Sequence, residues 1–504
     1  MTIGIWILGD QLSLKNTALQ SCLNEKSTTS IIFIESIDHV KTRPYHKQKL
    51  AFIWSAMCHF AEELKQDNWQ VDYQISDSFI EPLTKWIKQN QVSELRVMTP
   101  NDRPFLKLIN SLNLPCDLKC YPNINFLWQP EQFQTWAKSR KRLILEDFYR
   151  EGRKRWNILL TDNQKPEGGK WNLDKQNRKP PKRNLSVPKP LFFEIDEITQ
   201  KVIDKVSKLS DLKIQTYGKI DRFLWGVTRK DALQVLDHFI QTRIDNFGTY
   251  QDAMVTGEEY MWHSLISPYI NVGLLQPLEV IKKVEQAYYD RDLPLNSVEG
   301  FVRQVLGWRE YMYGIYHYVD EDYFDSNWFD HHSPLPEFFW NSDKADMNCL
   351  HQVLKQTENT GYAHHIQRLM ILSNYGLVAG ISPQQLENWF HSAYIDAYDW
   401  VMQTNVLGMG QFADGGLLAS KPYASYGNYI KKMSDYCGNC KYNHKTRSEG
   451  DSCPFNYLYW DFLIRHEEKL RTQGRMNLVL SHLKKMSSEE SQKIQALANK
   501  WKEK

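Results

Sequence analysis

Over its first 125 residues the chain alternates two periodicities. Apolar runs at IGIWIL, IIFIE, VDYQI, LRVM and DLKCY read as buried strands, and the stretches between them carry helical spacing, as at Leu50, Ile53, Trp54, Met57, Phe60 and Ala61. Strand and helix in alternation predict a doubly wound parallel sheet. Beyond about residue 195 the alternation stops, and long amphipathic segments such as 233–247 and 300–319 predict an all-helical body. Between the two, residues 162–191 hold five prolines, an adjacent glycine pair and few aliphatic side chains, the composition of a long loop. The expected fold class is therefore α/β + all-α: an α/β domain over 1–135, a linker with a basic loop over 136–194, and a helical domain over 195–504.

Composition narrows the class. A chain of 504 residues with 42% hydrophobic and 24% charged residues can bury the cores of two or three soluble domains. No run of about 18 apolar residues occurs, and MTIGIWILGDQLSLKN has no basic region ahead of its apolar stretch, so neither a membrane span nor a secretory signal is expected. The expected compartment is the cytoplasm, and the expected state a monomer. Eight cysteines are too few for a disulfide scaffold in a chain this long, and a reducing compartment leaves thiols free for metal. The net charge of +2 gives no global argument for nucleic acid. The 162–191 loop does so locally, with eight Lys or Arg against three acids, and Lys179, Lys182 and Arg183 are its candidate phosphate contacts. A solvated linker would carry the same charge.

Candidate chemistry falls in separate places. Ligands of doubly wound sheets sit at the carboxyl ends of strands, which singles out Gly9, Asp10 and Gln11 after the first strand and Glu35 after the second. The same residues could instead cap helices, and the missing GxGxxG argues against a dinucleotide there. Near the other end, YCGNCKYNHKTRSEGDSCPF places Cys437 and Cys440 two residues apart, with Cys453 following. Three thiols want a fourth ligand, either Cys349 or the nearer His444, around zinc or an iron-sulfur cluster.

Three helical segments together are specific. HSLISPYINVG, followed by VRQVLGWREYMYGIY, resembles the flavin phosphate-binding region of the cryptochrome/photolyase family. GYAHHIQRLM resembles the (6-4) photolyase helix in which a histidine pair precedes a spaced arginine, and DAYDWVMQTNVLGMGQFADGG resembles the stretch wrapping the isoalloxazine. With the lone cysteine, the CxxC and the later CP, nearly the whole chain is similar to the prokaryotic iron-sulfur branch of this family, the (6-4) photolyases also described as photolyase-related proteins.

That resemblance implies an antenna domain followed by a helical FAD domain, and light-dependent reversal of (6-4) photoproducts in UV-damaged DNA with the lesion flipped out. It implies FAD held by Ser264, Ser267, Gln304, Arg309, Arg368, Asp396, Asp399 and Asn405. A [4Fe-4S] cluster would sit on Cys349, Cys437, Cys440 and Cys453, leaving His444 an ordinary loop residue. A 6,7-dimethyl-8-ribityllumazine antenna would sit at Gly9, Asp10 and Glu35. His365, with His364 beside it, would handle the proton that (6-4) reversal demands and cyclobutane splitting does not. Tyr423 and Tyr429 would line the lesion pocket with Lys431 and Lys432 on phosphate, and Trp389 and Trp340 would carry electrons to the surface. The animal (6-4) pattern has a further histidine where this chain has Leu369, which favours a single-histidine mechanism. The competing readings are a blue-light photoreceptor, a cyclobutane-dimer photolyase, and a nucleic-acid-binding module with a structural cluster.

Overall fold

A computed structural model describes residues 2–182 and 185–503, so Arg183 lies outside the described residues. Five parallel strands form one sheet: β1 (Ile3–Trp6), β2 (Ser30–Ser36), β3 (Gln70–Ser76), β4 (Glu94–Met98) and β5 (Asp117–Tyr121), in the order β3-β2-β1-β4-β5. Ile5 of β1 lies against Ile31 of β2, and Gly4 against Leu95 of β4. The order reverses between β1 and β4, which makes the crevice at their carboxyl ends the place where a ligand can enter. The central strands are buried and the edge strands β3 and β5 are partly exposed, so the expectation of five buried strands holds for the middle of the sheet only.

Alternation along the strands builds two cores. Ile3, Ile5, Ile7, Ile31 and Phe33 pack on the Lys47–Gln66 helix, while Trp6, Leu8, Ile32, Ile34 and Val97 face Leu83, Trp86 and Ile109. Gly4 is needed at its position because a Cβ there would come within 2.9 Å of Trp86 and Val92. The first core continues out of the sheet into the helical body, where the Phe52 ring meets Tyr269 at 5.6 Å.

The chain does not divide as cleanly as its composition. Helices Pro130–Lys138 and Leu145–Trp156 share a core with Tyr311 and Ile315 of the helical body through Trp128, Phe133, Trp136 and Phe148. Helix Glu197–Ser207, which follows the basic loop, packs back on Lys47–Gln66 through Val202, Ile203 and Val206. The loop itself is fastened: Asn177 and Asn296 exchange amide hydrogen bonds, and buried Arg243 donates to Pro188 O at 2.6 Å.

All three segments that carry the family resemblance contain π-helical turns, at Arg303–Arg309, Arg368–Ser373 and Gln403–Gly410. An extra residue in a helical turn rotates the side chains after it, and such bulges gather where function needs a side chain re-aimed.

Candidate functional site

The Ser267–Asn271 helical turn, the Arg368 segment and Asp396 converge on one cluster. Arg368 Nη1 and Nη2 bond Asp396 Oδ1 and Oδ2 at 2.9 and 3.2 Å, Ser267 Oγ donates to Asp396 Oδ2 at 2.7 Å, and Asn271 Nδ2 donates to Asp396 O at 2.9 Å. The Arg368 guanidinium also lies over the Tyr394 ring at 3.8 Å. The loop leading in is strained: Met261 and Leu265 sit at φ 43° and 60°, conformations costly for side chains of their size. Ser264 lines a cavity there with Arg243, Tyr260 and Trp225.

Arg309 joins this cluster from below. Its Nε reaches Asn271 Oδ1 at 3.4 Å, its Nη1 reaches Asn125 O at 2.8 Å, and Nη2 is buried without a partner. Burial lowers the guanidinium pKa to about 10, and raises that of adjacent Glu310, which accepts from the Leu127 and Trp128 N–H groups, to about 7. Gln304 and Asn405 are occupied locally, donating to Gly300 O at 3.3 Å and Val401 O at 2.8 Å.

The histidine pair is split. His364 is buried and stacks on His263 with ring centroids 4.4 Å apart, and neither of its ring nitrogens has a partner. His365 keeps an exposed face although protein surrounds it. Burial, then the Arg368 charge, lower its pKa to about 4. Its neighbours Ile366, Leu369 and Met370 share an apolar cluster with Tyr423 and Tyr429. Tyr429 donates to Asp252 Oδ2 at 3.3 Å, and burial raises the Asp252 carboxyl while the Arg178 charge opposes that rise. Arg178 thus brings the basic loop toward the tyrosines, while Lys179 and Lys182, the expected phosphate contacts, lie exposed on the same loop. Lys431 is exposed, and its charge opposes the rise that burial gives the Cys437 thiol, so it belongs to the cysteine end of the site. Lys432 is exposed on the same helix.

Two expected flavin and antenna contacts are engaged elsewhere. Asp399 turns away from Asp396 toward His391 Nδ1 at 3.0 Å and Arg43 at 3.5 Å. Glu35, fully buried, is bound by Tyr73 OH at 2.6 Å and by the Lys205 ammonium, so its carboxylate is already spent on an internal ion pair. Asp10 faces the β1/β4 crevice instead, where Asn101 Nδ2 donates to its Oδ2 at 2.7 Å and Asn125 Nδ2 to its carbonyl at 2.7 Å. Burial lifts the Asp10 carboxyl to about 6. Gly9 beside it packs on Ile53 and Met57.

Cys349, Cys437, Cys440 and Cys453 line one cavity with Tyr436, Tyr442 and His444. Burial first, then their mutual proximity, raise the thiols, Cys437 to about 11 and Cys453 to about 12. Trp389 is buried, donates to Phe339 O at 2.9 Å, and stands in an aromatic series: Tyr394 to Trp389 5.8 Å, Trp389 to Tyr217 6.3 Å, Tyr217 to half-buried Trp340 5.5 Å. Tyr394, Tyr217, Asn271, Asp252 and Arg178 carry no motif of their own. Asn271 lies inside HSLISPYINVG and Arg178 inside the basic loop, and nothing in either segment marks them out.

The family described as deoxyribodipyrimidine photo-lyase-related protein matches residues 5–225. A protein of Agrobacterium fabrum named (6-4) photolyase is 42% identical over 504 residues, covering 98% of both chains. Among solved structures, a bacterial class III photolyase from Agrobacterium tumefaciens superposes with a TM-score of 0.60 at 18% identity over 85% of this chain and 83% of the other. A Synechocystis sp. PCC6803 cryptochrome does so with 0.58 at 14%, over 87% and 86%. These two likenesses speak to the fold, an α/β domain joined to a helical body.

Proposed function

The chain belongs to the deoxyribodipyrimidine photo-lyase-related family, and we propose that it is a light-driven DNA-repair enzyme, a lyase reversing (6-4) pyrimidine-pyrimidone photoproducts with FAD as cofactor. The full-length relative named (6-4) photolyase supports that lesion class. His365 carries the reading: of the histidine pair, it alone keeps an open face, beside the Tyr423 and Tyr429 cluster and next to the Arg368–Asp396 pair.

The residues present fit a flavin. Buried polar atoms await a ligand at Arg309 Nη2, His263 Nε2 and both His364 nitrogens, around a segment whose backbone is strained. Ser264, Ser267, Arg309, Arg368 and Asp396 would hold FAD, and the reduced cofactor supplies, under light, the electron that the lesion accepts. His365 holds the proton. Protein alone keeps its imidazole neutral at pH 7; anionic phosphates entering the site favour the imidazolium that donates. Tyr423 and Tyr429 offer stacking faces to an extruded base, and Arg178, Lys179 and Lys182 offer phosphate contacts.

Four sulfurs lining one cavity fit a metal group held by four thiolates, and the likeness to the iron-sulfur branch of the family favours a [4Fe-4S] cluster over zinc. Asp10, Gly9 and the crevice amides fit a small polar antenna such as a ribityllumazine; Glu35 does not. Illuminating the purified protein with oligonucleotides bearing either a (6-4) product or a cyclobutane dimer tests the proposal: restoration of the first supports it, and restoration of the dimer alone overturns it.

A further inference from the structure

Away from the Arg368–Asp396 cluster, three ligating side chains meet in the interior. Glu387 and His391, one turn apart on the Pro383–Ala393 helix, face Asp399 at the start of the next helical turn. A ligand atom of each lies within 4.8 Å of the other two, and all three residues are buried. His391 Nδ1 is 3.0 Å from Asp399 Oδ1 and 3.9 Å from Glu387 Oε1. The Glu387 side chain has no exposed surface, and neither of its oxygens has a hydrogen-bond donor.

A fully buried carboxyl whose two oxygens have no donor lacks the partners that buried polar groups need, so something must face it. A proton on His391 is the simplest answer, but a protonated Nδ1 donates along one direction. It would serve Asp399 at 3.0 Å and leave Glu387 bare. The charge of Arg43 reaches both Asp399 and Glu387, yet it gives Glu387 no hydrogen bond: its Nε donates to Asn388 Oδ1 at 3.0 Å and its Nη2 lies 3.5 Å from Asp399, while Lys49 donates to Ala397 O at 2.6 Å. His39 is held neutral by burial, its pKa near 4. Asp102 adds a third carboxyl, accepting from the Asp399 and Trp400 N–H groups at 3.3 and 2.9 Å.

We propose that Glu387, His391 and Asp399 bind one divalent transition-metal ion. One imidazole and two carboxylates are a donor set for Zn2+, Mn2+ or Fe2+, and spacings of 3.0 and 3.9 Å suit ligands about 2.1 Å from a common ion. The i,i+4 placement on one helix presents two ligands from a single face, and Asp399 closes the set. The ion would tie the Pro383–Ala393 helix to the segment that holds Asp396 three residues earlier, and so brace the Arg368–Asp396 cluster from behind. Lys49, donating to the carbonyls of Ala397 and His391, already orients that backbone.

Mn2+ is the probe of choice because thiolate sites favour softer ions, so the four cysteines do not compete for it. Electron paramagnetic resonance titration of the full-length protein, without DNA, counts bound Mn2+. The expected result is one tightly held ion per chain, displaced by an equivalent of Zn2+, with affinity lowered more than about tenfold in Glu387→Gln and His391→Ala. Glu387→Gln keeps the side-chain volume and guards against loss of folding, and unchanged cluster absorbance verifies that the fold persists. Absence of a bound ion in the parent protein overturns the assignment, as does equal binding by folded Glu387→Gln.

Discussion

Arg368 and Asp396, 28 residues apart in sequence, meet through two parallel hydrogen bonds of 2.9 and 3.2 Å, each side chain only 12% exposed. The fork also takes Ser267 and Asn271 into the same cluster and lays the guanidinium on Tyr394. One ion pair thereby joins three segments that sequence similarity had singled out separately.

Breaking one side of a buried pair strands the other charge. Asp396→Ala should cost about 3–5 kcal/mol of unfolding free energy in urea. Asp396→Asn, which keeps an acceptor oxygen, should cost less, and both should release flavin. Retention of a full complement of flavin by Asp396→Ala would place the cofactor away from this cluster.

The four cysteines predict a metal content. Purified protein should contain iron and acid-labile sulfide and no stoichiometric zinc. Cys349→Ser, Cys437→Ser, Cys440→Ser or Cys453→Ser should each lose the iron and most of the soluble yield, because the ligands tie together segments nearly 90 residues apart. Stoichiometric zinc without iron contradicts the cluster.

Acid should loosen the fold before carboxylates titrate. Burial is the leading cause that depresses His39, His46, His317, His365 and His466 to about 4 and His263 to about 3. A histidine with its folded pKa below the unfolded value near 6.5 is protonated more readily when unfolded. Its stabilisation is therefore full above about pH 6.5 and is lost as pH falls toward the folded pKa. Asp10 and Glu310, raised to about 6 and about 7, oppose this, as do Asp102, Asp252 and Asp414, which burial also raises, while His331 and His364, lowered further still, add to it. Thermal denaturation should show the melting temperature falling between pH 6.5 and 4; a flat profile over that window refutes the sign.

The aromatic series predicts an unequal set of variants. Trp389→Phe should stop photoreduction of the flavin. Tyr217→Phe should not, since the Tyr217 hydroxyl is buried without an acceptor for its proton and the ring alone spans Trp389 and Trp340. Tyr217→Leu, which removes the ring, should slow it. Equal rates for Tyr217→Phe and Tyr217→Leu, measured by flavin absorbance under blue light, would take Tyr217 out of the path.

How much of this was legible in the sequence depends on the range of the interaction. Strands β1 to β5 could be placed because period-two apolarity is local, and the cysteines because sulfur ligation restricts what they can be. Asp396 and Asp399 sit three residues apart and could not be told apart, since the turn between them sends one to Arg368 and the other to His391. Glu35 read as a ligand contact because its partner, Lys205, comes from 170 residues away. The split between His364 and His365 follows from which imidazole meets His263, a ring contact that spacing does not encode.

In the proposed reaction His365 handles the proton of (6-4) reversal, while the Arg368–Asp396 cluster holds the flavin independently of it. The direct test compares parent protein and His365→Ala, each loaded with reduced FAD, by chromatographic assay of an illuminated oligonucleotide carrying one (6-4) lesion. Restored pyrimidines are expected with the parent and none with His365→Ala, while flavin content and photoreduction stay unchanged in the variant. Restoration by His365→Ala at the parental rate would contradict that role for His365.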